Sequence, residues 1–144
     1  MSGYRFRGDI AIADAAFDAW GGTIEELFVA AADATTHTMA GNFEAIEDRQ
    51  RRLIRLEERS ADLLLFRLLE ELIFLKDAEG LLLRVPAVRI SERDGTFVLE
   101  AEACGEPLDP GRHRLLVDVK AVTLHRLRVE RTAQGWEAFV VLDV

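Results

Sequence analysis

The chain has one cysteine, three prolines, one tyrosine and two tryptophans in 144 residues, and each scarcity excludes something. With Cys104 alone, no intrachain disulfide can form, so a reducing compartment is the default expectation. One cysteine and three scattered histidines (His37, His113, His125) also give no zinc-ligand spacing. Long apolar runs are missing as well. The most apolar stretch, Leu63–Leu75, is interrupted by Arg67, Glu70 and Glu71, well short of the ~20 apolar residues that span a bilayer. The N-terminal segment has no continuous apolar core of the kind a secretory signal carries, and the expectation is a cytoplasmic protein. Positive charge is short too: 18 Lys and Arg against 26 acids leave a net charge of −8. That balance disfavours direct binding to a nucleic-acid backbone and suits a soluble protein or one that meets a basic partner.

The length fits one domain, which at this size buries roughly 68–70% of its unfolded surface and needs no metal or disulfide to fold. Ile10–Trp20 is rich in β-formers and small apolar residues and reads as a strand, closed by Gly21-Gly22. Thr23 with Glu26 three residues later is a capping-box signature, and Ile24, Leu27, Phe28, Ala31 and Ala34 follow helical spacing to Gly41-Asn42. Arg51–Glu58 alternates Ile54 and Leu56 with Arg55 and Glu57, the pattern of a half-buried strand. Ser60 caps a second helix over Ala61–Asp77, apolar around most of its circumference. Four strand-like stretches follow: Leu81–Ser91, Thr96–Cys104, Asp118–Arg131 and Trp136–Asp143, separated by turn-forming residues. The order predicts a single α+β domain over residues 1–144, with two helices packed against a largely antiparallel β-sheet.

Catalytic constellations are sparse. Gly21-Gly22 lacks the Gly-Lys-Ser/Thr ending of a phosphate loop, and Ser2, Ser60 and Ser91 sit in no nucleophile context. Cys104 ends an apolar strand with no adjacent base and reads as a small core residue. The arginines of Asp48–Arg55 read as charges that protect a strand edge from pairing. By strand parity His125 belongs with Val119, Ala121 and Leu127, the pattern of a hydrogen-bonded core histidine, whereas Lys120 falls on the solvated side.

The carboxylates at the end of the last strand say more. Four consecutive apolar residues, Phe139–Leu142, precede Asp143, as in a strand covered on both faces with an acid at the mouth of the core. The α-carboxylate of Val144 crowds a second anion beside it, an arrangement that needs a cation or donors to compensate. Hard oxygen ligands of this kind suit Ca²⁺ or Mg²⁺. A further ligand can come from Asp14 or Asp18, which share one strand parity, so spacing alone leaves both open.

Taken together, Ala13–Phe28, Leu68–Gly80, Gly105–His113, Val119–His125 and Leu142–Val144 resemble the archease family in order and spacing along nearly the whole chain. The resemblance implies a small cytoplasmic protein that is not itself an enzyme. It would assist an RtcB-type RNA ligase by promoting guanylylation and repeated turnover in tRNA splicing and RNA repair. It also implies an acidic divalent-cation site, Ca²⁺ or Mg²⁺, whose matches are Asp14 and Asp143 with the Val144 carboxylate, so it selects Asp14 over Asp18. Lys120, His125 and Glu71 are the candidates for the face that meets the partner. The alternative is a protein-binding or chaperone-like module without a ligase. Three departures stand out: Ala11 replaces the family's histidine three residues before the metal aspartate, Leu124 its usual aromatic, and Glu70 its helix asparagine.

Overall fold

The computed structural model describes residues 1–8 and 14–144, with residue 14 described in its backbone alone. Among the described residues, nine strands and two α-helices are arranged in the order β1 (Gly3–Arg7), β2 (Asp14–Gly21), α1 (Ile24–Met39), β3 (Gln50–Glu58), α2 (Ala61–Glu79), β4 (Leu81–Arg84), β5 (Val88–Arg93), β6 (Thr96–Pro107), β7 (Ala121–Val122), β8 (Arg128–Thr132) and β9 (Gly135–Asp143). The strands form two sheets in which every described pairing is antiparallel. In the first, β1 pairs β2 and β2 pairs β9, whose other side takes β8 and then β7. In the second, β6 is central, with β3 on one side and β4 and β5 on the other. The α+β reading with two helices holds, with two sheets in place of one.

Local chemistry sets the helix starts. Thr23 Oγ1 accepts the Glu26 N–H while Glu26 Oε1 accepts from Thr23 N–H, the reciprocal capping box the sequence predicts. Ser60 Oγ accepts the Leu63 N–H, and Gly80 ends α2 in the left-handed conformation (φ 67°). The helix α1 touches β1, β2 and β9 on one side and β4 and β5 on the other, which is why small residues dominate it: Ala30, Ala31, Ala32 and Ala34 are all buried. Its buried threonines are satisfied internally, with Thr35 and Thr38 donating to the carbonyls of Ala31 and Ala34, and Thr36 to that of Leu83. Leu64, Leu65, Leu68, Leu69 and Leu72 of α2 join the same core, which also takes Ile54 and Leu56 of β3.

Three sequence readings change, and one is described only in part. The strand read as Ile10–Trp20 is described from Asp14 onward; residues 10–13, Ala11 among them, lie outside the described residues. Leu81–Ser91 is two strands, because Pro86 interrupts the ladder between Arg84 and Val88. Asp118–Arg131 is also two, β7 and β8, joined by a turn closed by the Leu127 N–H on the Leu124 carbonyl. His125 stands on that turn and is exposed, so it is not a core histidine. The turn passes through Arg126 at φ 57°, with its guanidinium 4.8 Å from the centre of the Phe139 ring. Among the described residues no helix is long and apolar enough to cross a membrane.

Candidate functional site

The end of β9 lies between β2 and β7. Asp143 is the register partner of Asp14 on one side and of Ala121 on the other. The Lys120 N–H donates to the Asp143 carbonyl (2.8 Å), and the Thr123 N–H to that of Val141 (2.9 Å), so β7 is held against the last turn of strand. Leu142, Val140 and Ala138 enter the main core, while Phe139 and Val141 form a small apolar cluster with Ala16. Alternation along the strand therefore puts Asp143 on the Phe139–Val141 face, the one turned away from the helices. Asp143 and Val144 are half-buried.

Asp18 occupies a different environment. It stands opposite Phe139, and its Oδ2 is 3.2 Å from Arg7 Nη1 and 3.7 Å from Arg5 Nη2. Two guanidiniums thus already offset its charge. Asp14, by contrast, has an aspartate as its register partner, and in an antiparallel ladder directly opposite residues are cross-strand neighbours. Among the described residues no three His, Cys, Asp or Glu side chains come together to hold a metal ion, and the Asp14 side chain lies outside that description.

The helix α2 fixes the neighbouring segment through backbone groups. Glu70 Oε1 accepts the Val122 N–H at 2.6 Å, so the edge donor that β9 does not use has a carboxylate partner. Lys76, largely buried, donates to Asp118 and to the Val119 carbonyl (3.0 Å), with Asp77 Oδ1 also 3.0 Å away. Burial works to lower the pKa of this ammonium, but hydrogen bonds to Asp118 and Asp77 outweigh it and raise the value; the same bond lowers that of Asp118. Lys120 and His125 are exposed and Glu71 is half-buried, one residue beyond the Glu70 anchor. Glu70→Ala is expected to leave the Val122 N–H without its partner, costing about 1–3 kcal/mol locally. Native-state hydrogen exchange at Val122 checks this: protection should fall by about 5- to 140-fold at 1.4 kcal/mol per decade. Unchanged protection would mean that the bond contributes nothing.

A third cluster escaped the sequence reading. Glu106, near the end of β6, is buried with His113, and the exposed Arg112 reaches it from the loop that follows. Its carboxylate accepts from the Arg112 guanidinium, from the Glu47 N–H (2.8 Å) and from His113 Nε2 (3.0 Å). Because His113 Nδ1 accepts the Asp109 N–H, the proton of the neutral imidazole sits on Nε2 and points at Glu106. Burial alone would raise the Glu106 pKa; the three donors overcome it and hold the value at about 2. The cluster ties down the loop that leads to Lys120. Its only trace in the sequence is an acid followed six and seven residues later by Arg and His, a spacing with no regular periodicity.

The sequence profile of the archease protein family matches residues 4–144. The archease of Thermococcus kodakarensis is 37% identical over 133 residues, covering 92% of this chain and 93% of that protein. The archease of Methanopyrus kandleri is 36% identical over 134 residues, covering 92% and 94%. The solution structure of Methanobacterium thermoautotrophicum protein 1598 superimposes with a TM-score of 0.84 at 33% identity, covering 99% of each chain. The crystal structure of the Thermotoga maritima archease, described as a possible chaperone, gives a TM-score of 0.63 at 21% identity over 97% of this chain and 98% of that one, a likeness of fold. Profile, relatives and fold agree over nearly the full length, and the chain belongs to the archease family.

Proposed function

We propose that this chain is a non-catalytic accessory protein that activates an RtcB-type RNA ligase, promoting its guanylylation and multiple turnover in tRNA splicing and RNA repair. The observation that carries the reading is the β2–β9 register, which makes Asp14 and Asp143 partners at the strand ends beside the Lys120–Val122 segment. Two aspartates opposite one another repel unless a cation compensates, and oxygen donors alone suit a hard divalent ion such as Ca²⁺ or Mg²⁺. Asp14, Asp143 and the carboxylate of Val144 are the residues that would hold it. When bound, the cation would supply a positive centre that ties the start of β2 to the end of β9. The chain's own part is positional. The hydrogen bonds from the Val122 N–H to Glu70 and from the Lys120 N–H to the Asp143 carbonyl keep β7 and the Lys120 backbone beside the ends of β2 and β9. Lys120, His125 and Glu71 then flank the face offered to the ligase.

Asp143→Asn removes one anion and changes little in volume. It is expected to weaken divalent-ion affinity, and with it activation of ligase guanylylation, on the order of 10–100-fold while the melting temperature stays near that of the parent. Activation at the parental level by a folded Asp143→Asn protein would count against the site.

A further inference from the structure

Lys76, in the last turn of α2, is only 8% exposed, and lysine is seldom buried that far without partners. Its carboxylate partners do not account for the burial. The side chains of Asp118 and Asp77 are 76% and 55% exposed, and an ammonium could meet them at the surface, where such pairs contribute little. What the buried position adds is the Val119 carbonyl, 3.0 Å from Nζ. That carbonyl belongs to the same peptide group as the Lys120 N–H, which donates to the Asp143 carbonyl at 2.8 Å. One trans peptide thus joins a buried ammonium of α2 to the main chain of Asp143, with the two bonds on opposite sides of it.

We infer that Lys76 is a positioning residue for the Asp14–Asp143 site, acting through the Val119–Lys120 peptide on the end of β9. A charged donor on the carbonyl oxygen polarises the peptide and makes its N–H a stronger donor in turn. The bond that benefits is the one to Asp143, at the strand end where β9 meets Asp14 of β2. Strand ends open locally more readily than strand centres, so a firmer bond there holds the Asp143 backbone, and the carboxylate it carries, in one place. Lys76 does not touch the ion; its effect reaches the site through Asp143. The inference rests on the cation-site reading and adds a residue of α2 that the reading leaves out.

The test titrates the purified full chain with Ca²⁺ and with Mg²⁺ in a calorimeter and reads hydrogen exchange at single amides. Two uncharged variants, Lys76→Met and Lys76→Gln, should each bind the ion on the order of tenfold more weakly. Removing a positive charge from a chain of net charge −8 would by itself strengthen cation binding, so the sign separates positioning from plain electrostatics. Exchange at the Lys120 amide should speed up about tenfold, while that at Thr123, bonded to the Val141 carbonyl, stays near the parental rate. A general loosening of the segment would move both amides. Asp118→Asn, which keeps the Val119 bond, should match the parent in ion affinity and in Lys120 exchange. Parental ion affinity in the uncharged variants would overturn the inference and leave the cation site standing. Equal acceleration at Lys120 and Thr123, or a loss of affinity reproduced by Asp118→Asn, would overturn it too. A parent chain that binds neither ion would overturn the cation site and the inference together.

Discussion

Replacing Glu106 by Gln is expected to cost about 3 kcal/mol of folding stability at pH 7. The carboxylate is buried, accepts from Arg112, Glu47 N–H and His113, and titrates at about 2 instead of the ordinary 4.5. Folding therefore favours its ionised form, and roughly 1.4 kcal/mol per pKa unit over that interval gives the figure. Because the folded pKa is depressed, the contribution is complete above about pH 4.5 and drains away as pH falls towards 2. Gln resembles the protonated acid in shape and charge, so the variant should lose that stability at neutral pH and lack the corresponding drop in acid. Denaturant titrations of both proteins at pH 7 and pH 3 check the two statements together. Equal stability at pH 7 would show that the three donors do not favour the charge.

Gly105, one residue earlier, carries the second large effect. It is buried in β6, with Leu83 of β4 and Gln50 of β3 as its register partners. A Cβ at this position would lie 1.8 Å from the Leu82 carbonyl oxygen and 2.9 Å from the Leu83 Cα. These are backbone atoms, held in the β4–β6 pairing by the whole sheet, and no rotamer change relieves the clash. Gly105→Ala should cost about 3 kcal/mol or more, at the upper end of overpacking effects, because the two strands must separate. Loss of soluble yield or a large fall in denaturation midpoint is the expected result. A variant within 1 kcal/mol of the parent would mean that β4 shifts without penalty. Gly105 and Glu106 together explain why one short stretch, Gly105–His113, matters to the fold: the first lets β4 approach, and the second fastens the loop that follows.

How far the sequence foretold this depended on where each signal resides. The capping box of Thr23 and Glu26 and the Ser60 cap are local chemistry, and both helix starts follow from them. The alternation in Arg51–Glu58 likewise predicts Ile54 and Leu56 as the buried residues of β3. The strand β1 was not legible because it is an edge: Phe6 remains 43% exposed, and the segment is held by its register with β2, which no local pattern records. The break between β7 and β8 was hidden because Arg126 adopts a positive φ without Gly, Asn or Asp to announce it. The terminal carboxylates could be read from the sequence, but parity left Asp14 and Asp18 equivalent. The fold separates them through contacts distant in sequence: Asp18 meets Arg5 and Arg7, and Asp14 meets the register of Asp143. Glu106 needed the folded chain altogether, since Glu47 N–H, Arg112 and His113 converge on it from a remote segment and a loop.

The central claim is the accessory function, and ligase turnover tests it most directly. Purified RtcB-type ligase from the same organism is incubated with GTP, Mn²⁺ and a cleaved RNA, with and without this chain, and product is counted per ligase. The account predicts that the ligase alone stalls near one round, and that adding the chain carries it through many rounds. Equal product in both reactions, with no complex formed between the two proteins, would contradict it.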